Sequence, residues 1–546
     1  MSRQPWAEPS AGQEFGKENK VKRTLHTNTF GISRRDFLTT AAGCASLGIL
    51  TPQGPYAAKG SAWALEQALA DDPQRPRYHF LPPAHWMNDP NGPIYWQGTY
   101  HLFYQYNPVA AVWGNMHWGH ATSTDLIHWK HQPIALAPTP GGPDKDGCFS
   151  GSAFVHERTP HIIYTGVWPE TQCLALSDDP HLRTWKKFKR NPVVSAPPSA
   201  LRVTGFRDPS IWRERNDWLM SIGAGVRGEG GRVLLYTSRD LINWQYSHQL
   251  AEGPPFSVYE PKGGEKYDAV AAGDMWECPD FFRLGDGHVL LVSTQGAVAQ
   301  MTGRYLDRKF ECERWRWVDG DLYYAAKSFM GARNRRILWG WIREGRSEAA
   351  YSAAGWAGVM SLPRVLMPGD GSAPRIEPAE EITALRRQRH HWSDLEISSE
   401  RVLPEVKGDG LEIELEFEPG SAEALVVKVR RSPDGNEETA IVCQRPSRAL
   451  VLDTRRSSQN PEDFHRAQTM PESFYFVKGR MEKLSIFLDC SVVEIFANSR
   501  CCLTGRIYPS RADSLGVALC AKGGDVRVKS LDIFEMKPIS RDRLTT

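Results

Sequence analysis

Three carboxylates in this 546-residue chain stand in short, rigid surroundings that suit acid/base chemistry. Asp89 lies in Trp86-Met-Asn-Asp-Pro-Asn-Gly92, where Asn88 and the Pro90-Asn91-Gly92 turn can fix its rotamer. Asp208 follows Arg207 in Gly205-Phe-Arg-Asp-Pro-Ser210, and the adjacent guanidinium is expected to keep it ionised. Glu277, in Trp276-Glu-Cys-Pro-Asp280, is wedged among apolar neighbours, where desolvation is expected to favour the protonated form. None of the three is distinctive alone: a simple Asx turn accounts for the first, and Arg-Asp-Pro is common. As a trio they supply one acid to stay ionised and one to hold a proton, which is what cleavage of a glycosidic bond needs. For a retaining reaction the pair lies about 5–5.5 Å apart. In that chemistry Asp89 attacks the anomeric carbon and forms a covalent glycosyl ester. Glu277 protonates the departing oxygen and then activates water, while Asp208 binds ring hydroxyls and stabilises the oxocarbenium-like state.

Elements far apart in the chain must bring these acids together, and a repeat shows how. Ser123-Thr-Asp-Leu-Ile-His-Trp129, Ser177-Asp-Asp-Pro-His-Leu-Arg-Thr-Trp185 and Ser238-Arg-Asp-Leu-Ile-Asn-Trp244 each follow a strand-like run and end in Trp, at spacings of 56 and 59 residues. A period of about 57 suits one four-stranded propeller blade with generous loops, so the region 77–366 holds about five. Short strands are expected at Tyr100–Tyr106, Ile162–Thr165, Val233–Thr237, Val289–Thr294 and Arg336–Ile342. Equivalent positions of different blades converge on the central channel, which is an independent reason for the acids to meet.

After Leu366 the texture changes. A linker over 367–391 is expected, with a short helix at Pro378–Leu385, where Pro opens the first turn and acids sit at its positive end. Beyond Trp392 the strict alternation of Leu411-Glu-Ile-Glu-Leu-Glu-Phe417, with further β runs, predicts an all-β sandwich over 392–540.

Bulk properties exclude other classes. With 66 basic and 64 acidic residues the net charge is +2, which makes no electrostatic case for nucleic acid or a polyanion. The 19 tryptophans serve equally as core and as flat faces for sugar rings. The ten cysteines lack Cys-x-x-Cys spacing and read as mostly reduced, buried thiols, with Cys501 and Cys502 on opposite faces of a strand. His85, His117, His120 and His128 have no metal-ligand spacing; no metal and no cofactor is expected. Residues 1–64 read as a polar lead and an export signal. Ser33-Arg34-Arg35-Asp36-Phe37-Leu38 precedes a weakly apolar stretch with small-residue cleavage sites, the pattern of a twin-arginine leader. The twin-arginine export machinery is therefore an expected partner. The expected location is periplasmic or extracellular, with no membrane span in the mature chain.

Trp-Met-Asn-Asp-Pro-Asn-Gly, Phe149-Ser-Gly-Ser152, Phe-Arg-Asp-Pro and Trp-Glu-Cys-Pro-Asp, in that order, resemble the invertase, levanase and inulinase family, glycoside hydrolase family 32. Tyr324-Ala-Ala-Lys-Ser-Phe329, Gly355-Trp-Ala-Gly-Val-Met-Ser-Leu-Pro-Arg364 and Asp489-Cys-Ser-Val-Val-Glu-Ile-Phe-Ala497 extend the resemblance from about His79 to the C-terminus. It implies a five-bladed propeller joined to a β-sandwich, with Asp89 as nucleophile, Asp208 as transition-state stabiliser and Glu277 as acid/base. It further implies that Asn88, Gln105, Trp113, Ser150 and Arg207 line a fructosyl subsite, and that Trp86 and Phe149 form its apolar wall. The expected activity is release of terminal β-D-fructofuranosyl units from sucrose or related fructosides. Levan or inulin hydrolysis and fructosyl transfer need the same residues, whereas a non-catalytic fructan-binding protein would lack one of the carboxylates. Trp339-Gly-Trp341 is read as blade core, and Cys278 as a packing and polarity element and not a nucleophile.

Overall fold

The structure, a computed structural model, describes residues 65–253, 273–294, 296–369, 373–477 and 479–541. The proposed leader, Arg34-Arg35 included, lies outside them.

Five antiparallel sheets follow one another along the first two-thirds of the chain. Blade I comprises His85–Trp96, Thr99–Asn107, His117–Ser123 and Lys130–Leu136; blade II Gly147–His156, Thr159–Val167, Thr171–Leu176 and the two-residue Lys186–Lys187. Blade III runs through Val203–Glu214, Asp217–Val226, Gly230–Ser238 and Gln245–Glu252, and blade IV through Glu277–Leu284, Gly287–Thr294, Ala297–Leu306 and Lys309–Trp317. Blade V is Tyr323–Met330, Arg336–Ile342, Arg364–Met367 and Arg375–Pro378. The first strand of each blade packs on the first strand of the next, and that of blade V on that of blade I, so the ring closes. Trp356–Ala357 strengthens the closure by pairing parallel to His85–Trp86. Each expected strand falls within one of these elements.

The tryptophan repeat is one turn built three times, between the third and fourth strands of blades I, II and III. The indole N–H of Trp129, Trp185 and Trp244 donates to the carbonyl of the residue three before it, Leu126, Leu182 and Leu241, at 2.9–3.0 Å. Each of those leucines has positive φ (68°, 54° and 66°), a conformation that side chains disfavour. The leading serine accepts from the Asp two residues on: Asp125, Asp179 and Asp240 each donate a backbone N–H to Ser123, Ser177 and Ser238 Oγ.

Two six-stranded sheets form the sandwich. Leu411, Ile413, Leu415 and Phe417 face its core with at most 1% exposure, as the alternation predicts. Glu412 on the opposite face is bound by both Arg386 Nε and Nη2 at 2.6 and 2.7 Å. The boundaries differ from the linker expected at 367–391. Arg375–Pro378 pairs with Arg364–Met367 as the outer strand of blade V, and the first sandwich strand already begins at Arg386. What lies between is a 3-10 turn, Glu380–Leu385, whose Ile382 and Leu385 enter the core shared by the two domains. Cys501 packs against the sandwich core and Cys502 against that shared core, so the neighbours do occupy opposite faces. The nine described cysteines are free thiols.

Candidate active site

The site grows from a distortion repeated in the inner strand of every blade. In blade I, Asn88 and Asp89 bulge opposite Gln105 alone. Asp208-Pro209 bulges in blade III, Cys278-Pro279 in blade IV and Ala325-Ala326 in blade V, while blade II carries the single extra residue Ser150. The first bulge residue of blades III to V has positive φ: 62° at Asp208, 49° at Cys278 and 53° at Ala325. Such bulges re-aim side chains out of the ladder and toward the axis. Proline at the second position of blades III and IV removes an N–H that the bulge leaves unpaired. The acids converge, but not from equivalent positions as expected. Asp89 is the second residue of its bulge, Asp208 the first of its own, and Glu277 immediately precedes its bulge.

Asp89 is half-buried. Its Oδ1 accepts from Asn88 Nδ2 at 3.0 Å and its Oδ2 from Ser150 Oγ at 2.6 Å. Asn88 is itself held by Trp86 Nε1 at 2.8 Å. Cys278 ties two acids together: its Sγ lies 3.4 Å from Asp89 Oδ2 and 3.5 Å from Asp208 Oδ2, and its N–H donates to the same Asp208 oxygen at 3.1 Å. Burial, with Asp208 and Asp89 adding to it, pushes the Cys278 thiol well above its usual range, so it serves as a donor and not as a thiolate. Cys278, expected as a packing and polarity element and not a nucleophile, thus bridges the two acids.

Arg207 is coupled electrostatically to Asp208, as expected, but its hydrogen bonds reach two other acids. Its guanidinium grips Glu277 Oε1 through Nε at 2.8 Å and Nη2 at 2.6 Å, and extends Nη1 to Glu170 Oε1 at 2.9 Å. Burial opposes its charge, but Glu170, Glu277 and Asp208 together hold it well above its ordinary pKa. Tyr324 Oη donates to Glu277 Oε2 at 2.6 Å. Glu277 is therefore set among hydrogen-bond donors, where desolvation alone had been expected to govern it. Glu170 escaped sequence reasoning because Trp168-Pro-Glu170 lies in a turn of blade II with no motif around it. Tyr324 stood within a recognised motif, yet only ring closure shows that it faces Glu277.

The apolar wall is one cluster containing Trp86, Phe149, Cys278, Tyr324, Trp341 and Tyr351, with Trp113 packed on it. Trp341 meets Trp86 at 5.8 Å between ring centroids, so it belongs to this wall, whereas Trp339 is blade core as expected. The helix Glu348–Ala354, capped by Ser347 and ended by Gly355 in the left-handed region, places Tyr351 at 5.7 Å from Trp86. Trp113 and Trp168 both meet Phe149 edge-on at 5.9 Å, and Trp168 is 41% exposed, an indole open to solvent beside the wall. Gln105 is buried and donates to the Cys148 carbonyl at 2.9 Å, which fixes its amide beneath the Asn88–Asp89 bulge. Of the four clustered histidines, His117 bonds the Asn115 carbonyl, His128 bonds Asp125, and His120 bonds His101.

Further along the same inner strands, past the carboxylates, the channel widens into a cavity of about 770 Å³ lined by Ser152, Trp212, Asp280, Lys327 and Arg336 among others.

Sequence profiles of known families decide what this arrangement is. The profile of the glycosyl hydrolases family 32 N-terminal domain matches residues 79–374, and that of the family 32 C-terminal domain matches residues 381–535. The chain belongs to glycosyl hydrolase family 32. Among curated family 32 proteins, sucrose-6-phosphate hydrolase of Escherichia coli is 36% identical over 80% of this chain and 89% of its own length. Levanase of Bacillus subtilis is 34% identical over 88% of this chain and 73% of its own. Among solved structures, fructan 1-exohydrolase IIa from Cichorium intybus superposes with a TM-score of 0.76 at 27% identity, covering 86% of this chain and 98% of that one. A Bombyx mori β-fructofuranosidase mutant in complex with sucrose gives 0.68 at 28% identity, covering 89% and 99%.

Proposed function

We propose that this family 32 chain hydrolyses terminal, non-reducing β-D-fructofuranosyl units, as in sucrose, with retention through a fructosyl ester on Asp89. The observation that carries the reading is the state of Asp89: an accessible carboxylate whose two oxygens are oriented by neutral donors, beside two further acids. Asn88 and Ser150 hold the rotamer so that Asp89 can attack the anomeric carbon. Glu277 delivers a proton to the departing oxygen. Glu170 shares Arg207, which divides that positive charge and leaves Glu277 able to take up and release a proton beside two other acids. Tyr324 keeps Glu277 in place through both steps. Once the glucosyl group has left, the same carboxylate removes a proton from water, which attacks the ester. Asp208, fixed by the Cys278 N–H, stabilises charge that develops on the fructosyl ring.

Wild-type enzyme is expected to release free fructose from sucrose, and more slowly from levan and inulin. Trp168, 41% exposed and edge-on to Phe149, offers an open indole face, and we assign it the ring beyond the fructosyl unit. Trp168→Ala should therefore raise KM several-fold while kcat changes little, and product analysis by chromatography checks both points. Rapid release of fructose from a polymer would make the enzyme an exo-fructanase. No product from any of the three, with folded protein, would overturn the hydrolytic reading.

Glu277→Gln should slow substrates with poor leaving groups by about 10²–10⁴-fold and activated aryl fructosides far less, because an amide gives no proton. An equal loss across leaving groups, measured by steady-state kinetics, would contradict the acid role.

One observation favours a second substrate. The Arg343 guanidinium lies 4.5 Å from the Tyr324 ring centroid, over the ring, without a carboxylate within 4 Å among the described residues. It is available to a phosphorylated sugar, and a preference for sucrose 6-phosphate that Arg343→Gln erases would establish that substrate. For the leader, we propose export by the twin-arginine route, which Arg34-Arg35→Lys-Lys should block in a fractionation assay.

A further inference from the structure

The cavity past the carboxylates takes no part in the proposed reaction. Its volume of about 770 Å³ lies within the range of pockets that hold small molecules. Two cations line it from blade V. Lys327, in the inner strand, is 2% exposed, and its Nζ donates to the Pro279 carbonyl at 2.9 Å. Arg336 opens the next strand. Its Nη1 donates to Ser328 Oγ at 2.9 Å, and its guanidinium lies 4.1 Å from the Phe282 ring centroid. Among the described residues neither cation has a carboxylate within ion-pairing distance.

The acids on the same walls have other partners. Asp280 Oδ2 accepts from the amide and the hydroxyl of Ser328 at 2.8 and 2.6 Å. Glu214 receives Tyr305 Oη at 3.2 Å and lies 3.7 Å from Arg308. The consequence shows in two arginines withdrawn from water. Arg207, gripping two carboxylates, is held well above its ordinary pKa, whereas burial pulls Arg336 below its own although Asp280 opposes the shift. A guanidinium buried without a paired anion is costly, and an anionic ligand would offset that cost. Two polar atoms are left over as well: Arg336 Nε and Ser152 Oγ are buried with no hydrogen-bond partner among the described residues. Such atoms are uncommon, and both residues line this cavity.

Blades III and IV supply an apolar face. The rings of Trp212 and Phe281 stand 5.2 Å apart between centroids, and those of Phe281 and Tyr305 5.0 Å apart. A neutral sugar would use this face and leave the cations uncompensated, while an inorganic ion would do the reverse.

We propose that the cavity is a second binding site, for a small organic anion whose carboxylate or phosphate is held by Lys327 and Arg336 and whose body rests on Trp212, Phe281 and Tyr305. The site is separate from the three acids and does not depend on the role given to Asp89.

The test is isothermal titration calorimetry of the full chain with citrate, glucose 6-phosphate and glucose. At least one of the two anions should bind with a Kd of about 1 mM or lower, and glucose about tenfold more weakly or not at all. Which anion binds identifies the head group. Arg336→Gln should weaken that binding by about ten- to hundredfold, while Arg343→Gln, beside Glu277, leaves it unchanged. Sucrose hydrolysis near the wild-type rate shows that each variant is folded. Should Arg336→Gln not fold, Ser152→Leu, which narrows the cavity from blade II, should remove the binding in its place. Glucose binding as tightly as its phosphate would overturn the proposal. So would anion binding that Arg336→Gln or Ser152→Leu leaves intact or that Arg343→Gln abolishes. No binding of either anion at about 10 mM, with folded protein, would overturn it too.

Discussion

Asp89→Asn should lower kcat by about 10⁴-fold or more and leave the fold intact. An amide cannot form the glycosyl ester, and none of the nearby groups can replace it. Asp208 is fixed from behind by the Cys278 N–H, and Glu277 is gripped by Arg207 and Tyr324. The Cys278 thiol is held protonated by its burial. The substitution is nearly isosteric at a half-buried position, and its remaining carbonyl oxygen can still accept from Ser150 or Asn88. Sucrose binding should therefore survive, and a variant that binds sucrose by calorimetry but releases no fructose is the expected result. Activity within tenfold of wild type would remove Asp89 from the role. Anomer analysis by NMR adds an independent check on the wild type: β-fructofuranose as the first product supports the ester, and the α anomer would require a single displacement by water instead.

How far the sequence reveals this site depends on whether a residue's role is local. The propeller was legible because the Ser-x-Asp…Leu…Trp turn is closed by its own bonds, the indole to a leucine carbonyl and the serine to a nearby amide, and therefore repeats as a sequence pattern. Asp89 and Asp208, within their bulges, and Glu277, just before its own, were legible because each stands in a short local motif. Their partners were not. Glu170 reaches Arg207 from blade II, Tyr324 reaches Glu277 from blade V, and Lys327 reaches the Pro279 carbonyl across the same blade boundary. Such contacts depend on how five inner strands close around an axis, which no local pattern encodes. For the same reason the sequence shows Arg207 only beside Asp208, to which it is coupled, and not its grip on Glu277 and Glu170 from other blades. The domain boundary slipped because Arg375–Pro378 is a four-residue edge strand without alternation.

The late motif Asp489–Ala497 has a role of another kind, and it leads to the largest expected effect on stability. Its acids bind the propeller. Asp489 accepts the amides of Arg77, Tyr78 and His79, and it receives His79 Nδ1 at 2.8 Å. Glu494 receives His79 Nε2 at 3.1 Å, the Leu362 amide at 2.6 Å and the Arg364 guanidinium, which also pairs with Asp319 at 2.8 Å. His79, Arg364, Asp319, Asp489 and Glu494 have no exposed side-chain surface. Glu494→Ala leaves Arg364 and His79 short of a carboxylate in this dry interface and should cost about 3–5 kcal/mol of unfolding free energy. Denaturant unfolding followed by tryptophan fluorescence measures it, while kcat/KM of the folded enzyme should stay within a few-fold of wild type. Adding Arg364→Met to Glu494→Leu should not recover the loss, because Asp319, which the same guanidinium holds, would be stranded in turn.

The network also sets a pH window. Burial opposes the His79 imidazolium, but hydrogen bonds to Asp489 and Glu494 win and raise its pKa above the ordinary 6.5. Its contribution is therefore complete below 6.5 and is lost as pH rises through the raised value. Burial opposes the Glu494 carboxylate as well, yet Arg364 and His79 hold its pKa below the ordinary 4.5, so its contribution is complete above 4.5 and is lost as pH falls through the lowered value. The two terms overlap between 4.5 and 6.5, where the interface is strongest. His79→Gln should flatten the alkaline decline of stability and leave the acidic one in place. An unchanged alkaline slope would mean that His79 is neutral in the folded protein, and that the two carboxylates facing it do not set its charge.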